Sequence, residues 1–296
     1  MGLIRFVKNI IYLSKYNLKD FHKDKIAIEE LKYAVNHIKY EVASDLETVQ
    51  RFKINSADET LDKLVNTSSS IIRFGDGEIN LMAGNSIPFQ HADEKLAERL
   101  KEALADCSDN LMQGIPLLFA SHMGNNIEAI HFTRAFYGKY HNFIVQNLNK
   151  DREYYDVSTT YRYIGNGGTD VSFLEDYYNK FISIWKDKDI AVICGDRIFN
   201  VIDNNIFDFA SSVEYIYAPS TNAFDKYEEI KERALKIDKH KIVIIILGPT
   251  ATILAYDLFK QGYRALDIGH LAKDYDAYKK KLESTDENVF KFFAKE

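Results

Sequence analysis

The fold is decided by the stretch Ile242-Val243-Ile244-Ile245-Ile246-Leu247-Gly248-Pro249-Thr250. Its first six residues are apolar and five of them are β-branched, which is typical of a parallel strand covered on both faces. The glycine and the proline that follow mark a tight turn, and residues 251–261 then place apolar side chains at helical spacing. The stretch therefore predicts a buried strand that leads through a turn directly into a helix.

The same alternation of strand and helix patterns extends upstream. Short β-branched runs predict strands at 70–74, 115–120, 143–146, 190–194 and 213–217, and a last strand ends near Asp267. Longer amphipathic patterns predict helices at 93–105, 126–137, 171–186 and 223–237. Ser56 and Glu59 have the spacing of a capping box, which would begin the helix before the first strand. We therefore predict one α/β domain over residues 51–296, with a mostly parallel, Rossmann-like sheet and flanking helices.

Residues 1–50 have a different pattern, and we predict that they form an N-terminal helical arm. Residues 1–25 carry six Lys or Arg against two Asp, although the whole chain is acidic. Apolar residues such as Leu3, Ile4 and Val7 recur at helical spacing between the cations. A basic amphipathic helix of this kind binds an anionic membrane surface, or it packs on its own domain or on a second subunit. Peripheral membrane contact through residues 1–16 and a homo-oligomer are therefore both open.

The composition excludes several classes of protein. A net charge of −6 argues against a nucleic-acid binder, which usually presents a basic face. The chain has two cysteines, far apart in sequence, which favours a reducing cytoplasmic setting over a disulfide scaffold. No stretch approaches the roughly 18 apolar residues of a membrane span. We therefore expect a cytoplasmic protein, with the inner face of the membrane as its alternative location.

The most informative motif is Arg73-Phe74-Gly75-Asp76-Gly77-Glu78, at the end of the first predicted long strand. Ligands of open α/β sheets bind outside the carboxyl ends of the strands. Two carboxylates separated by one glycine can face the same small volume, and such oxygen ligands suit Mg²⁺ or Mn²⁺ together with substrate phosphates. Arg73 could add a phosphate contact. The alternative is an ordinary surface turn, because Gly-Asp-Gly is common turn chemistry.

A second candidate is the turn Gly248-Pro249-Thr250, which opens the helix after the apolar strand. Backbone N–H groups at a helix N-terminus, together with a threonine hydroxyl, form an anion site. The alternative is a plain strand-to-helix turn, in which Pro249 occupies the first helical turn.

The third candidate pair is Asp267 and His270, which follow the last predicted strand. They could be metal ligands, an acid–base pair or a hydroxyl-binding pair, whereas a lone histidine in a loop is more often structural. Asp196 ends another predicted strand and could also reach the cleft. Tyr161 and His122 are weaker candidates beside further loops.

Together these blocks resemble the bacterial GT-D glycosyltransferase family. The resemblance is carried by Ile72-Arg73-Phe74-Gly75-Asp76-Gly77-Glu78, by residues 247–258 and by Gly262-Tyr263-Arg264-Ala265-Leu266-Asp267-Ile268-Gly269-His270. It implies a Rossmann-like GT-D fold and the transfer of a hexose from a UDP-sugar to a glycan, in the cytoplasm, during synthesis of surface polysaccharides or glycoproteins. It also places the Asp-x-Glu motif of the family, and its Mn²⁺ or Mg²⁺, on Asp76 and Glu78. Residues 271–275 depart from the acidic, aromatic stretch found in the family.

These observations combine into one hypothesis. Asp76 and Glu78 would hold the metal and the diphosphate. The nucleotide-sugar would contact the residues Arg73, Gly75, Gly77, Asp196, Gly248, Pro249, Thr250 and His270. Asp267 is a further candidate catalytic residue, because an inverting reaction needs a general base and either Asp267 or Asp196 could supply it. The acceptor would be a lipid-linked or protein-linked glycan. The main alternative is a Mg²⁺-dependent nucleotide-sugar or phosphoester hydrolase, and a third is a non-catalytic scaffold.

Overall fold

The computed structural model describes residues 20, 22–32, 35, 52–116, 136, 138–140, 142–165, 171–283 and 292. The chain divides into two compact units, residues 1–51 and residues 52–296. In the first unit, residues 22–32 are helical, and they expose the apolar side chains of Ile26, Ile28 and Leu31. The amphipathic segment predicted at residues 1–16 lies outside the described residues, as does the predicted helix at 126–137 apart from Phe136.

Within the described residues, eight parallel strands of the second unit form one sheet. The order across the sheet is β1-β4-β3-β2-β8-β7-β5-β6. The strands are β1 (Lys53–Ile54), β2 (Ser70–Arg73), β3 (Leu111–Ile115), β4 (Glu153–Asp156), β5 (Asp189–Gly195), β6 (Ser212–Ala218), β7 (Ile242–Ile246) and β8 (Ala265–Asp267). The prediction of an α/β fold with a mostly parallel sheet is confirmed.

Helices flank the sheet and connect its strands. They are α1 (Ala57–Asn66), α2 (Asp76–Met82), α3 (Glu94–Ala105), α4 (Arg162–Gly165), α5 (Leu174–Trp185), α6 (Tyr227–Ala234), α7 (Pro249–Lys260) and α8 (Leu271–Lys280). A further helical segment covers residues 142–147. Among the described helices, none combines the length and the apolar character needed to cross a bilayer.

The buried strand predicted first is β7, and all five of its residues are buried. It lies between β8 and β5, so its backbone is paired on both edges and its side chains are covered on both faces. Helix α7 follows it after one turn and packs against β2, β7 and β8. The continuous apolar run therefore marks the centre of the fold, as expected for a parallel sheet.

The strand assignments from the sequence differ from the structure in several places. Residues 142–147 are helical rather than a strand over 143–146, because the buried side chains of Tyr140, Ile144 and Leu148 repeat every four residues. Of the strand predicted at 115–120, only Ile115 and Pro116 lie within the described residues, and Ile115 is the last residue of β3, which begins at Leu111. The sequence pattern missed β1 and β4, which have only two and four residues.

The order of the strands creates a crevice at their carboxyl ends. The chain passes from β5 to its neighbour β6 on one side, and from β7 to its neighbour β8 on the other side. Connections that leave adjacent strands in opposite directions open a gap above those strands, where ligands of such sheets bind. The three glycine turns singled out in the sequence, which follow β2, β7 and β8, lie at this edge of the sheet.

Candidate active site

A pocket of about 460 Å³ lies over the carboxyl ends of the strands. This volume falls within the range of small-molecule binding sites. The residues that line it include Arg73, Gly75, Asp76, Gly77 and Glu78 after β2, Tyr161 after β4, Gly195 at the end of β5, Ser220 after β6, Gly248 and Pro249 after β7, and Gly269, His270 and Lys273 after β8. Side chains from distant parts of the chain therefore converge on one cavity.

Arg73 is fixed in the floor of this pocket by an ion pair with Asp267. Its Nη2 lies 3.1 Å from Asp267 Oδ1, and its Nε donates to the Asp267 carbonyl at 3.1 Å. Its Nη1 donates to Thr160 Oγ1 at 3.1 Å. The Thr252 hydroxyl, on α7, donates to the Arg73 carbonyl at 3.0 Å and lies 3.3 Å from Asp267 Oδ2. The guanidinium is thus held in one orientation by Asp267 and Thr160, while Thr252 holds the backbone of Arg73.

Asp267 lies behind Arg73 rather than in the pocket. Its side chain is only 2% exposed, and both of its oxygens contact protein donors. Burial raises the pKa of its carboxyl, and the charge of Arg73 opposes that shift. The geometry therefore makes Asp267 a residue that positions Arg73, and it does not support the role of general base considered from the sequence.

Gly269 permits the close approach of Arg73 to the end of β8. Its φ of +45° lies in the left-handed region, where a side chain is disfavoured. A Cβ atom at this position would overlap the Arg73 guanidinium. The glycine in the Asp267-Ile268-Gly269-His270 block is therefore required by both the backbone and the packing.

The turn between β2 and α2 presents Asp76 and Glu78 to the pocket. Gly75 is the N-cap of α2, and its backbone N–H donates to Glu78 Oε2 at 2.7 Å. Glu78 thus caps the N-terminus of the helix that carries it and also lines the cavity. Asp76, one residue after the cap, is exposed to the pocket. Gly77 faces the start of α7, where a Cβ atom would lie 3.8 Å from the Pro249 ring.

Both carboxylates of this turn are electrostatically perturbed. Burial raises the pKa of Glu78 to about 7, and the nearby charge of Asp267 adds to the shift. The pKa of Asp76 is also raised, because the pocket walls displace water although its surface stays open to the cavity. Two carboxylates that are costly to ionise in the same cavity favour a bound cation.

The start of α7 forms the opposite wall. Gly248 has a φ of +52°, and a Cβ atom there would meet the Phe89 ring at 3.3 Å. Gly248 and Pro249 both line the pocket, as predicted from the sequence. Thr250 is fully buried and does not line the pocket, so Thr252 is the threonine of this helix that contacts the site.

The other side of Arg73 carries an aromatic and histidine cluster. The rings of Tyr161 and His270 meet edge to face, with their centroids 6.5 Å apart. Burial, reinforced by the positive charges of Lys273 and Arg73, lowers the pKa of His270 to about 3. His270 is therefore neutral near pH 7 and can exchange hydrogen bonds with hydroxyl groups without carrying a charge.

Asp196 lies at the rim of the pocket, beyond β7. The Ser220 hydroxyl donates to Asp196 Oδ1 at 2.7 Å, and Ser220 itself lines the cavity. Asp196 is exposed. The structure thus brings Asp196 to the edge of the same cavity as Asp76, although the two are separated by 120 residues in the chain.

Several lining residues were not predicted from the sequence, among them Phe89 and Lys273. Phe89 belongs to a loop that carries no recognisable motif. Lys273 lies one helical turn after His270, and this spacing was the available signal that both face the same side. His122, the other weaker candidate, lies outside the described residues.

The candidate metal ligands are Asp76 and Glu78. Among the described residues, no group of three or more His, Cys, Asp or Glu side chains could hold a metal ion. A cation on this pair would therefore take its remaining ligands from water and substrate phosphates, as Mg²⁺ usually does. The open carboxylate of Asp76 and the raised pKa values of both residues fit such an ion.

Comparisons with known proteins agree on one family. The family described as "Glycosyltransferase GT-D fold" matches residues 71–294. The probable glycosyl transferase Gly of Streptococcus gordonii is 33% identical over 234 residues, which cover 77% of this chain and 33% of that protein. Glycosyltransferase GlyD of Streptococcus pneumoniae serotype 4 (strain ATCC BAA-334 / TIGR4) is 32% identical over 225 residues, which cover 76% of this chain and 27% of that protein.

The chain thus spans about a third of the length of these curated relatives. A solved structure of the domain of unknown function 1792, described as having a distinct glycosyltransferase fold, superposes with a TM-score of 0.73 at 30% identity. The superposition covers 86% of this chain and 94% of that chain. Sequence and fold therefore agree, and this chain belongs to the glycosyltransferase GT-D fold family.

Proposed function

We propose that this protein is a metal-dependent glycosyltransferase that transfers a hexose from a UDP-sugar to a glycan acceptor. The observation that carries the proposal is the Asp76–Glu78 turn, which opens into a pocket at the carboxyl ends of a parallel sheet. Membership of the family supports the reaction class. The size of the pocket, about 460 Å³, suits a nucleotide-sugar.

Asp76 and Glu78 are the residues that would hold Mn²⁺ or Mg²⁺. When bound, the ion would neutralise charge that develops on the departing nucleoside diphosphate. Glu78 keeps one oxygen on the Gly75 N–H, so the turn fixes the direction in which its carboxylate faces. Asp76 contributes the more open carboxylate.

The other residues bind and orient the substrate. Arg73 offers a positive charge that Asp267 and Thr160 hold in place, which lowers the entropy lost when a phosphate binds. The start of α7, at Gly248 and Pro249, presents backbone groups and the positive end of the helix dipole to the same region. Lys273 adds a second cation on the pocket wall.

The test is an assay of UDP-, GDP- and CMP-sugars with candidate acceptors, with and without Mn²⁺. We expect UDP-sugar turnover that depends on both the ion and the acceptor, and mass spectrometry should find the hexose on the product. Asp76→Asn should abolish turnover because it removes the open carboxylate. Rapid release of free sugar without any acceptor would instead identify a hydrolase and contradict the proposal.

The proposed setting is the synthesis of surface polysaccharide or glycoprotein at the inner face of the membrane, with a lipid-linked or protein-linked glycan as acceptor. The basic composition of residues 1–25 supports this location. A non-catalytic scaffold would keep glycan synthesis intact in cells that carry Asp76→Asn, whereas the enzyme requires its loss. Nucleic acid is not proposed as a partner, because the net charge is −6.

A further inference from the structure

Charge is distributed unevenly along the pocket. Among the described lining residues, the charged side chains lie at the end of β2 or after β2 and β8; they are Arg73, Asp76, Glu78 and Lys273. The lining residues at the ends of β5 and β6 are uncharged. We name this uncharged part, together with Phe89 from the loop between α2 and α3, the neutral arm, and its members are Phe89, Gly195, Ser220 and Ala223. A nucleotide-sugar has the matching asymmetry, because its diphosphate is anionic and its base is neutral.

Phe89 is the aromatic side chain of the neutral arm, and its surroundings hold it firmly. Its ring lies against Gly248, which can approach so closely because it lacks a side chain. Its carbonyl accepts the Asn222 N–H at 2.8 Å. The neighbouring Gln90 accepts the Phe224 N–H through Oε1 at 3.3 Å, which ties the same loop to the chain that follows β6. A held aromatic ring on a pocket wall is a stacking surface for a planar base.

Asp196 stands beside this arm with a defined orientation. The Ser220 hydroxyl donates to its Oδ1, and the exposed carboxylate lies at the end of β5. In dinucleotide-binding sheets, an acidic side chain at a strand end accepts hydrogen bonds from ribose hydroxyls. Asp196 follows β5, whereas Asp76 and Glu78 follow β2, and β7 and β8 lie between these two strands. Ribose binding therefore suits Asp196 better than a role at the reacting carbon.

The pocket wall at Tyr161 and His270 carries hydrogen-bonding groups instead of a stacking surface. Tyr161 and His270, whose rings meet edge to face, both line the wall beyond Arg73, and their polar groups are a phenol hydroxyl and an imidazole. Paired hydroxyl and imidazole groups suit the many hydroxyls of a hexose.

We infer that the donor lies along the pocket in one direction, with its base against Phe89, its ribose at Asp196, and its transferred sugar at Tyr161 and His270. The diphosphate then occupies the charged centre, between Arg73 and the start of α7. This inference rests on the proposed function and adds the orientation of the substrate to it.

Two single substitutions distinguish this orientation from the reverse one. Phe89→Leu keeps the apolar contact with Gly248 and removes the ring, whereas Tyr161→Phe removes only a hydroxyl. We expect Phe89→Leu to weaken UDP binding about tenfold in calorimetry with Mn²⁺ present, as loss of base stacking does. Tyr161→Phe should leave UDP affinity within about twofold of the original and lower turnover of the UDP-sugar. Phe209→Leu, at an exposed phenylalanine, is the matched control and should change neither quantity.

A direct map of the base supplies the second measurement. The diphosphate of 4-thiouridine, irradiated on the complete protein, should cross-link to peptides that contain residues 86–90 or 195–198. Cross-links confined to peptides around Tyr161, or a loss of UDP affinity in Tyr161→Phe alone, would overturn the orientation and leave the proposed function standing. A protein that binds no nucleoside diphosphate at all would overturn both.

Discussion

At the scale of single residues, the site depends on the close contact between Gly269 and Arg73. Gly262 offers a matched comparison, because its φ of +85° is also left-handed but nothing lies within 4 Å of a Cβ atom there. Gly262→Ala should therefore cost only the backbone strain, about 1–2 kcal/mol of unfolding free energy. Gly269→Ala should cost roughly 3 kcal/mol or more, because it also pushes the guanidinium away from the buried Asp267.

Denaturant unfolding measures both values, and calorimetry with UDP adds a second test. The Gly269→Ala variant should bind UDP more weakly because Arg73 loses its orientation, whereas Gly262→Ala should bind it normally. If the two substitutions changed stability and UDP affinity equally, the contact between Gly269 and Arg73 would contribute to neither quantity, and only the left-handed backbone would matter.

His270 gives a prediction about pH. Its pKa is lowered from the ordinary 6.5 to about 3, so the unfolded chain binds one more proton than the folded chain between these values. The stability supplied by the neutral imidazole is therefore complete above pH 6.5 and declines as the pH falls towards 3. Relative to His270→Gln, the protein should lose about 2 kcal/mol of unfolding free energy between pH 7.5 and pH 5.

Chemical denaturation at a series of pH values checks this difference. His240→Gln, at an exposed histidine, is the control and should follow the pH profile of the unaltered protein. A difference between the protein and His270→Gln that stays constant from pH 7.5 to pH 5 would show that His270 is not held neutral in the pocket.

At the scale of elements, α1 and α2 begin with the same local structure but differ in their surroundings. Glu59 Oε2 accepts the Ser56 N–H at 2.7 Å, and Glu78 Oε2 accepts the Gly75 N–H at the same distance. Glu59 is exposed and does not line the pocket, whereas Glu78 does. Glutamine also closes a capping box, so Glu59→Gln and Glu78→Gln should both keep their helix starts.

The expected difference is in catalysis. Glu78→Gln should lower Mn²⁺-dependent turnover roughly 100-fold, because the amide is a poorer ligand than a carboxylate. Glu59→Gln should keep full turnover, and far-ultraviolet circular dichroism should show unchanged helix content in both variants. Full turnover in Glu78→Gln would place the metal elsewhere and remove the basis of the proposed mechanism.

The same elements show what the sequence can predict. Strand β2 and the unit β7–α7 were predictable because an apolar run meets a glycine turn, and both features are local. Helix α2 (Asp76–Met82) was not predicted. Strand β4 was missed because Glu153-Tyr154-Tyr155-Asp156 is short and flanked by acids, and its position is set by pairing with β3 and β1. The segment 142–147 looked like a strand because Phe143-Ile144-Val145 is β-prone, but its packing follows a helical period.

The site residues also fall into two groups, those marked by a local sequence motif and those placed by long-range contacts. Asp76, Glu78, Gly248 and His270 lie next to glycine turns, so the sequence marked them. Phe89 could not be marked, because its place in the pocket depends on the tie between its loop and Asn222. The burial of Asp267 was equally hidden, since it follows from the long-range contact with Arg73.

At the scale of the whole molecule, the pocket is built from residues between Arg73 and Lys273, all within the unit that covers residues 52–296. The N-terminal unit contributes none of the described lining residues. Catalysis and location in the cell should therefore be separable properties of the chain, and changes near the N-terminus should leave nucleotide binding unaltered.

Removal of residues 1–16 tests this separation. The segment carries three cations and no acidic residue, and each cation near an anionic surface contributes about 1 kcal/mol to binding. Deletion should therefore weaken binding to phosphatidylserine-containing vesicles roughly 100-fold in co-sedimentation and leave UDP affinity unchanged. A variant in which Arg5, Lys8 and Lys15 are changed to glutamine separates charge from apolar contact, and most of the loss should persist in it. Unchanged vesicle binding after deletion would exclude residues 1–16 as the membrane contact, whereas a loss of UDP affinity would show that the two units are coupled.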